Sequence, residues 1–290
     1  MSALPLFLLC VLGHLFSKYG EVSGVGRAHY SLHWIYAVFE PLVIKAADFM
    51  VESPFFTTNR LGRFLLWLVG HTNALVPHGV VIPTGAAIRI MRDIEKHSGG
   101  EAHIAVGPCV CQRVLNRFSE PVCKDMTIWY GAEIYQRLFP GEYKFICADE
   151  AAAMLREFHK KGLTPVAEFC MQSRQWMFVI CNCDNKICAP TRFYNAVKAA
   201  LYPGPFMVQH DANKCVGIEK CGACIARCHF KANRDEQGRA VLNEKECMGC
   251  GLCVTTCQGQ ARRLVKRPGY TGRLLPWDYI RDAELEEGSA

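Results

Sequence analysis

Eight of the 17 cysteines in this 290-residue chain lie between Cys215 and Cys257. Disulfide scaffolds of secreted proteins are a common reason for so many cysteines, but such scaffolds are short chains without a large core. Half of the residues here are hydrophobic and 21% are charged, so the chain has ample apolar surface to bury. The cysteine count is also odd, which would leave one thiol unpaired. Clustered thiols in a reducing compartment more often bind metal, and we expect metal binding here.

The second half of this cysteine-rich segment carries the most specific spacing in the sequence. It reads C-x₂-C-x₂-C-x₃-C from Cys247 to Cys257. Three thiolates at such short gaps let a tight loop curl around one face of an iron-sulfur cube, while the fourth thiolate is carried to a second cluster. Gly249 and Gly251 suit this loop because glycine tolerates positive φ angles and a close backbone. The spacing therefore predicts iron-sulfur ligands.

The first half of the segment repeats this pattern. It reads C-x₅-C-x₂-C-x₃-C from Cys215 to Cys228, the same run with three more residues between its first two cysteines. Residues 211–234 as a whole align with residues 243–263. Each half is too small to bury a core of its own, so we expect the two halves to pack on each other around a pseudo-twofold axis.

Together the two runs resemble the bacterial-type two-cluster [4Fe-4S] ferredoxins, over about residues 206–268. The resemblance implies a small α+β ferredoxin-like domain with a pseudo-twofold repeat and two [4Fe-4S] clusters. Two features depart from the family pattern, since His229 and Gln258 follow the fourth cysteines where proline is usual. Zinc is the alternative metal, but zinc sites commonly use two C-x₂-C pairs with a long spacer. The implied ligand sets are Cys215, Cys221, Cys224 and Cys257 for one cluster, and Cys228, Cys247, Cys250 and Cys253 for the other.

Two C-x-C pairs stand out among the other cysteines, in the segments GPCVCQR and ICNCDNKIC. Side chains two residues apart on an extended segment lie on one face, so each pair can present two thiolates to one metal centre. The alternative is that a cysteine is simply a small buried hydrophobic residue, which we expect for Cys10, Cys147 and Cys170. A third iron-sulfur cluster and a zinc ion are the two candidate cofactors. The six candidate ligands are Cys109, Cys111, Cys123, Cys181, Cys183 and Cys188.

The wider chain, from about residue 104 to residue 268, resembles a group of ferredoxin-tailed iron-sulfur proteins of anaerobic bacteria. In that group a C-x-C-R block and an I-C-N-C-C block precede the ferredoxin tail. Here Gln112 separates Cys111 from Arg113, and Asp184 stands where another cysteine is expected. The family ligand set therefore does not carry over whole. The resemblance favours a cluster over zinc, because the tail already implies delivery of clusters to the chain.

Helix-like and strand-like segments alternate before the cysteine-rich region and predict an α/β or α+β domain. The breaker Pro203-Gly204-Pro205 marks its end. We expect an apolar helical segment at residues 1–60, the α/β domain at 61–205, and the ferredoxin domain with a C-terminal tail at 206–290.

Within the α/β domain the best-marked helix has Asp149 as its N-cap and Gly162 as its C′ residue. We expect both C-x-C pairs to follow directly after strands. The predicted helices cover residues 84–99, 151–161 and 190–201, and the predicted strands cover residues 104–106, 166–171 and 176–180.

Two apolar runs raise the question of a membrane. Met1–Phe16 lacks both a basic flank and an A-x-A cleavage site, so we expect the chain in a reducing cytoplasm. At about 1.5 Å per residue this run reaches about 24 Å, short of a bilayer core of roughly 30 Å. The second run, Phe64–Val69, follows Arg60 and Arg63. Both runs are interpreted either as core helices or as peripheral membrane contact through residues 1–70.

The positive charge gives little support to nucleic-acid binding. The formal net charge of +6 counts cysteines as neutral, whereas two four-thiolate clusters would each contribute about −2. No block of five consecutive basic residues occurs. A basic group after the last cysteine either steers an acidic redox partner or forms a solvated face. It consists of Arg262, Arg263, Lys266 and Arg267.

These features predict electron transfer by two low-potential [4Fe-4S] clusters, in a subunit of, or a donor to, a larger oxidoreductase. The large N-terminal part is expected to dock a redox protein partner or to hold a third centre. Two alternatives are an iron-sulfur reductase whose third metal site acts on a substrate, and a membrane-docked electron-transfer adaptor. The sequence has no nucleotide-binding or hydrolase motif. An electron-transfer protein is therefore favoured over a free-standing enzyme.

Overall fold

A computed structural model of the chain describes residues 25–72, 78–98, 103–169 and 177–271, together with residues 275 and 283. The apolar run Met1–Phe16, including Cys10, lies outside these ranges, as does Cys170. Helices and strands alternate along the described chain, so the mixed α/β class predicted from the sequence is confirmed. The α-helices are α1 (Val25–Glu52), α2 (Pro54–Thr58), α3 (Arg60–Thr72), α4 (Thr84–His97), α5 (Val110–Leu115), α6 (Tyr130–Leu138), α7 (Ala148–Lys160), α8 (Ala189–Val197), α9 (Ala223–Ala226) and α10 (Leu252–Thr255).

Seven of the strands form one mixed sheet with the order β4-β2-β3-β6-β5-β1-β7. Neighbouring strands run antiparallel except β1 and β7, which are parallel. The strands of this sheet are β1 (His78–Val81), β2 (Ile104–Pro108), β3 (Cys123–Ile128), β4 (Lys144–Phe145), β5 (Thr164–Phe169), β6 (Met177–Cys183) and β7 (Leu201–Pro203).

Helices α4 and α7 pack together on one face of the sheet. The strands present a row of apolar side chains to them, because Val80, Ala167, Ile180 and Met126 are neighbours in register across four strands. All four are fully buried. This face and the two helices form the main core, as expected when successive strand residues point to opposite faces.

The N-cap of α7 differs from the prediction. Cys147, not Asp149, is the N-cap: its Sγ accepts a hydrogen bond from the Glu150 N–H (3.5 Å), and the Glu150 carboxylate accepts one from the Cys147 N–H (3.1 Å). The helix therefore begins one turn earlier than expected, with a thiol in the position that a hydroxyl usually takes. Cys147 is exposed, so the prediction of a buried hydrophobic role is wrong. Gly162 has a φ of +87° after the helix, as predicted.

The other predicted elements are present with shifted bounds. The predicted helix 84–99 is α4, and strand 104–106 is the longer β2. Strand 176–180 continues to Cys183 because β6 pairs with β5 as far as Thr164. Cys181 and Cys183 therefore lie inside a strand, not after it. The helix predicted over 190–201 ends at Val197, where Lys198 takes a left-handed φ of 57°, and the remaining residues enter strand β7.

The opposite face of the sheet is covered by α1, which packs against α5, α6 and α8. The register row on this face includes Asp125, Cys181, Val166 and Val81. Two of these four side chains are polar or ionisable and lie under a helix. This face therefore differs in chemistry from the apolar face under α4 and α7.

The chain leaves the large sheet at the predicted breaker, residues 203–205. From there strand β8 pairs with β11, and β9 pairs with β10 as a hairpin, in two separate two-stranded sheets. Phe206, Met207 and Val208 of β8 nevertheless belong to the main core with α4 and α7. The C-terminal strands are β8 (Phe206–His210), β9 (Asn233–Glu236), β10 (Arg239–Leu242) and β11 (Arg262–Lys266).

The second apolar run of the sequence lies on α3, and most of it faces outward. Phe64 is 55% exposed and Trp67 is 46% exposed, whereas Leu66 is buried. The interpretation as a core helix therefore applies to Leu66 but not to the run as a whole. Among the helices of the described ranges, none has both the length and the apolar character of a membrane span.

Candidate metal centres

The first cysteine group surrounds a cavity in the C-terminal region. The cavity is partly open to solvent, and its lining includes Cys215, Cys221, Cys224 and Cys257. Three of these cysteines come from the first run, and Cys257 is the last cysteine of the second run. Burial raises the pKa of the Cys224 thiol, and the thiols of the other three raise it further. The structure thus brings together the first set of four that the ferredoxin resemblance implied.

The second cysteine group is buried more deeply. Burial raises the pKa of Cys253 to about 12, and the thiols of Cys247 and Cys228 add to the shift. Burial also raises the pKa of Cys250 well above its usual value, with Cys253 as the next cause. Cys228 comes from the first run and the other three come from the second. Each group therefore takes its fourth cysteine from the opposite run.

The backbone around the two groups repeats itself. Gly222 and Gly251 precede α9 and α10 at equivalent positions, with φ angles of +97° and +82°. Gly249 has a φ of +79°, and a Cβ atom built on it would overlap the carbonyl oxygen of Phe206 on strand β8. Both Gly249 and Gly251 thus adopt the left-handed conformation that was predicted for them, which glycine tolerates without steric cost.

The repeat continues after the fourth cysteine of each run. The third residue beyond it takes a left-handed φ, 58° at Lys231 and 48° at Gln260. The backbone N–H that follows then donates to the cysteine Sγ, at 3.3 Å for Cys228 and 3.2 Å for Cys257. Such N–H···S contacts stabilise a thiolate over a thiol. Two equivalent sulfur-binding turns are therefore formed without the proline that the family pattern carries.

Arg262 is a buried cation between the two groups, and the sequence analysis assigned it to the surface. Its Nη1 donates to Asn233 Oδ1 (2.6 Å) and lies 3.9 Å from Cys253 Sγ. The same residue lines the cavity of the first group. Its guanidinium lowers the pKa of Cys224 and Cys253 against the effect of burial. The signal available in the sequence was the alternation of β11, which turns Arg262 and Leu264 to the same, inner face.

The other members of the predicted basic group differ in how far they are exposed. Arg267 is half-buried and donates to the carbonyl oxygens of Phe206 (2.9 Å) and Cys247 (2.7 Å). Arg263 and Lys266 are exposed. The prediction of one basic surface, for steering or for solvation, is therefore wrong for the two arginines that hold the cysteine loops together.

A third cysteine group lies at the edge of the large sheet. The thiol of Cys188 accepts hydrogen bonds from the thiols of Cys111 and Cys183 and from Thr191 Oγ1 (3.3 Å), which lowers its pKa well below the usual value. Cys111 also hydrogen-bonds to Cys109. Four of the six candidate ligands of the N-terminal region thus form a chain of neighbouring thiols, in the order Cys109, Cys111, Cys188 and Cys183.

The remaining two candidates have other surroundings. Cys123 is exposed. Cys181 instead donates to Asp125 Oδ1 (3.4 Å) and contacts Glu168 Oε1 (3.8 Å). Cys181 nevertheless packs against the buried cluster that contains Cys183 and Cys188.

A buried ion pair supports the loop of the third group. Lys124, with 1% of its side chain exposed, contacts the Asp184 carboxylate at 3.0 Å. Asp184 Oδ1 also accepts the N–H groups of Lys186 (2.7 Å), Ile187 (2.6 Å) and Cys188 (3.4 Å). Asp184 therefore shapes the loop that carries Cys188.

Three buried carboxyl groups that the sequence did not point to lie beside the third group, where α1 contacts the large sheet. Asp125 accepts a hydrogen bond from the Tyr143 hydroxyl (2.8 Å), and burial raises its pKa to about 6. Burial raises the pKa of Glu168 to about 8, and the pKa of Glu40 well above its usual value, with Asp125 as the next cause in both cases. These residues are on three different elements, so no sequence spacing connects them.

Across the described residues, no three Cys, His, Asp or Glu side chains are arranged to hold one metal ion between them. The same holds for the cysteines of all three groups. A cubane cluster binds each thiolate to a different iron atom, whereas a zinc site binds all its ligands to one ion.

Comparison with known proteins gives no match for this chain. Protein-family models, curated protein sequences and solved structures were each compared with it, and none matches.

Proposed function

We propose that the protein transfers electrons through two low-potential [4Fe-4S] clusters in its C-terminal region, as a subunit of, or a donor to, a larger oxidoreductase. The observation that supports this most is the crosswise grouping of the eight C-terminal cysteines. Each group combines three thiols of one run with one thiol of the other, which is the ligand pattern of two-cluster ferredoxins. When bound, each cluster supplies exchange of one electron at low potential.

The residues around the two groups suit clusters of this kind. Cys215, Cys221, Cys224 and Cys257 line one cavity that is partly open to solvent. Backbone N–H groups donate to three of the cysteine sulfurs, including Cys247, which accepts from the Val208 N–H at 3.4 Å. Hydrogen bonds to sulfur and exclusion of water are the means by which a protein sets the potential of a cluster.

Arg262 gives the site a fixed positive charge. A buried guanidinium near thiolates offsets part of their negative charge, which would otherwise be costly to bury. Because reduction adds a further negative charge, Arg262 favours the reduced state of the adjacent cluster. Its position between Cys253 and the first cavity allows it to act on both centres.

The test is anaerobic purification of the full chain followed by iron and sulfide analysis. We expect at least about eight iron and eight sulfide per chain, with broad absorption at the blue end of the visible spectrum. Cys224→Ser and Cys253→Ser should each lose about four iron, while Cys147→Ser, at an exposed helix cap, should lose none. A colourless protein without sulfide would refute the proposal.

A second candidate function, docking to a membrane surface, is favoured by the exposed face of α1, α2 and α3. These helices pack on one another and leave large apolar side chains outside. Lys45, Arg60 and Arg63 are also exposed on the same helices. Basic residues beside an exposed apolar face are typical of proteins that lie on anionic membranes. The most exposed apolar residues are Leu42 (63%), Phe49 (65%), Phe55 (44%), Leu61 (60%), Phe64 (55%) and Trp67 (46%).

Sedimentation with anionic phospholipid vesicles at low salt tests this second function. We expect the full chain to pellet with the vesicles and the double variant Phe49→Ser/Phe64→Ser to bind at least about tenfold more weakly, since two large side chains no longer enter the lipid. Val241→Ser, at an exposed apolar residue on β10, is the matched control. If the wild-type chain stays in the supernatant, membrane docking is refuted, and the electron-transfer proposal is unaffected.

A further inference from the structure

The cavity of the first cysteine group is lined by two residues that each carry a buried polar atom without a hydrogen-bond partner among the described residues. These atoms are Nε2 of His210 and Nη2 of Arg262. Folded proteins leave few buried polar atoms unsatisfied, because such an atom has lost its water without gaining a partner. Two of them in the lining of one cavity indicate that the occupant of the cavity takes part in hydrogen bonds.

His210 and Arg262 are neighbours across two paired strands. His210 is the last residue of β8 and Arg262 is the first residue of β11. The two residues are directly opposite each other in the antiparallel register. Directly opposite side chains of such a pair lie on the same face. The register therefore explains why both side chains reach the same cavity.

The guanidinium of Arg262 is fixed at the cavity by Asn233. Arg262 is 4% exposed, and its Nη1 donates to Asn233 Oδ1 (2.6 Å). Asn233 Nδ2 in turn donates to the carbonyl oxygen of Cys224 (3.0 Å), a cysteine of the first group. A guanidinium carries only donors. The partner of Nη2 must therefore be an acceptor, which the occupant of the cavity has to supply.

His210 can donate without bringing a second positive charge into the site. Burial lowers its pKa, the Arg262 charge lowers it further, and the Asp211 carboxylate has a smaller, opposite effect. The imidazole is therefore neutral near pH 7 and donates from the ring nitrogen that carries the proton. An acceptor in the cavity favours the tautomer with the proton on Nε2.

The other half of the repeat has a different pair at the equivalent place. That pair is Leu242 on β10 and Asn233 on β9, which are also directly opposite each other. Each pair consists of the residue five positions before the first cysteine of one run and the residue five positions after the last cysteine of the other run. Leucine has no donor, so the pseudo-twofold repeat matches His210 with a side chain that cannot hydrogen-bond.

We propose that His210 Nε2 and Arg262 Nη2 donate hydrogen bonds to sulfur atoms of the [4Fe-4S] cluster in the first cavity, and that His210 raises the reduction potential of this cluster but not of the second. The sulfur atoms of such a cluster carry negative charge and accept hydrogen bonds. Reduction makes them more negative, so a donor stabilises the reduced state more than the oxidised state. The inference rests on the proposed function, because both hydrogen bonds end on a cluster.

Redox titration of the full chain, purified without air and followed by electron paramagnetic resonance, tests the effect on the potential. His210→Leu removes the donor and copies the residue at the equivalent position of the other half. We expect the potential of one cluster to fall by about 59 mV, a tenfold shift of a one-electron equilibrium, while the other potential stays unchanged. His210→Gln keeps an N–H donor and should lower the potential less than His210→Leu does.

Cysteine variants identify the cluster that responds. Cys224→Ser should remove the signal whose potential shifts, whereas Cys253→Ser combined with His210→Leu should still show the shift. A shift confined to the cluster that Cys253→Ser removes would overturn the assignment to the first cavity.

Pulsed electron paramagnetic resonance of wild-type protein labelled with ¹⁵N in histidine alone tests the contact itself. A hydrogen bond from Nε2 to sulfur should give a weak coupling between the reduced cluster and a histidine nitrogen, which His210→Gln should lose. A signal from His229, which follows Cys228, would persist in His210→Gln. No coupling in the wild type, or the same coupling in His210→Gln, would overturn the proposal even if His210→Leu fails to fold.

Iron content separates this inference from the proposed function. The wild type and both His210 variants should each hold about eight iron. That iron content with the same two potentials in all three proteins would overturn the role of His210 and leave the proposed function intact. A wild type without iron would overturn both.

Discussion

The C-terminal and N-terminal cysteine groups are built in different ways. In the C-terminal region two short runs each supply three thiols to a local loop, and one thiol crosses to the other half. In the N-terminal region four thiols arrive from the ends of two strands and the starts of two helices, with Cys188 standing 79 positions after Cys109. Spacing in the sequence determines the first kind of site, whereas strand register determines the second.

This difference indicates where each kind of site is vulnerable. A loop-built site depends on the backbone conformation of a few residues, since its ligands are close along the chain. A register-built site depends on the interactions that fix the sheet edge and the loop on it. Substitutions that affect backbone conformation should therefore act mainly on the C-terminal groups, and substitutions that break buried ion pairs should act mainly on the third group.

The largest effect is expected from Gly249→Ala. The new Cβ would overlap the Phe206 carbonyl oxygen on β8, so the loop of the second cysteine group has to move. We expect a loss of at least about 4 kcal/mol in the free energy of unfolding, measured anaerobically by denaturant titration, with loss of iron from that site. Gly238→Ala is the control: its φ is also +79° and nothing lies near the added Cβ, so only backbone strain of about 1–2 kcal/mol remains. Equal losses for the two variants would contradict the role of the overlap.

The next effect concerns the ion pair under the third group. Asp184→Ala leaves the Lys124 ammonium buried without its carboxylate and removes the acceptor for three backbone N–H groups. We expect a loss of about 3 kcal/mol in the free energy of unfolding.

The exposed pair between Arg234 and Glu246 in the C-terminal region provides the matching control. It has a similar distance of 3.1 Å, but 57% of the Arg234 side chain is exposed. Glu246→Ala should therefore cost less than about 1 kcal/mol. If the two substitutions have similar effects, burial is not what makes the Asp184 pair strong.

A pH-dependent contact joins the two regions. The imidazole of His159 on α7 lies between Thr84 Oγ1 (2.9 Å) and Thr255 Oγ1 (2.8 Å) on α10. Burial lowers its pKa to about 4, with the Arg227 charge as the second cause. Because the unfolded state then binds the proton more readily, stability should be full above about pH 6.5 and fall as the pH drops toward 4.

We expect the wild type to lose about 1.4 kcal/mol in the free energy of unfolding between pH 7.5 and pH 5.5 from this residue alone. His159→Gln should remove that part of the pH dependence. His97→Gln removes a histidine that is exposed on α4 and should retain it. Identical pH slopes for all three proteins would show that His159 does not couple the regions to pH.

The smallest expected effect is a shift in potential. Arg262→Met removes the cation beside Cys253 and should lower the reduction potential of the adjacent cluster on the order of 50 mV, which for a one-electron couple equals about 1.2 kcal/mol, the net energy of an ordinary hydrogen bond. Arg263→Met, at the exposed neighbour on β11, is the control and should shift it little. Redox titration followed by electron paramagnetic resonance measures both. An unchanged reduction potential in Arg262→Met would show that the Arg262 charge does not act on the cluster.

Local patterns in the sequence were sufficient to predict the helices and strands and the two C-terminal cysteine groups. The helix over residues 84–97 and the positive φ angles of Gly249 and Gly251 follow from propensities of the residues themselves. The two crosswise sets of cysteines follow from spacing and from a family resemblance. Features of this kind depend on contacts between residues that are close in the sequence.

Features that depend on register or on long-range packing were beyond the sequence. Nothing in the C-x-C pairs distinguishes Cys183, which reaches the third group, from Cys181, which turns to Asp125. Arg262 reads as a surface residue until β11 is paired with β8. The cap of α7 was assigned to Asp149 because carboxylates cap helices more often than thiols do.

Strand β8 ties the C-terminal region to the main core. Phe206, Met207 and Val208 pack with α4 and α7, and pulling them out would expose that core to water. The C-terminal region is therefore fixed in place and does not swing on a tether between donor and acceptor. Under the proposed function, electrons would therefore enter and leave at fixed points on the surface, and a redox partner would have to dock there.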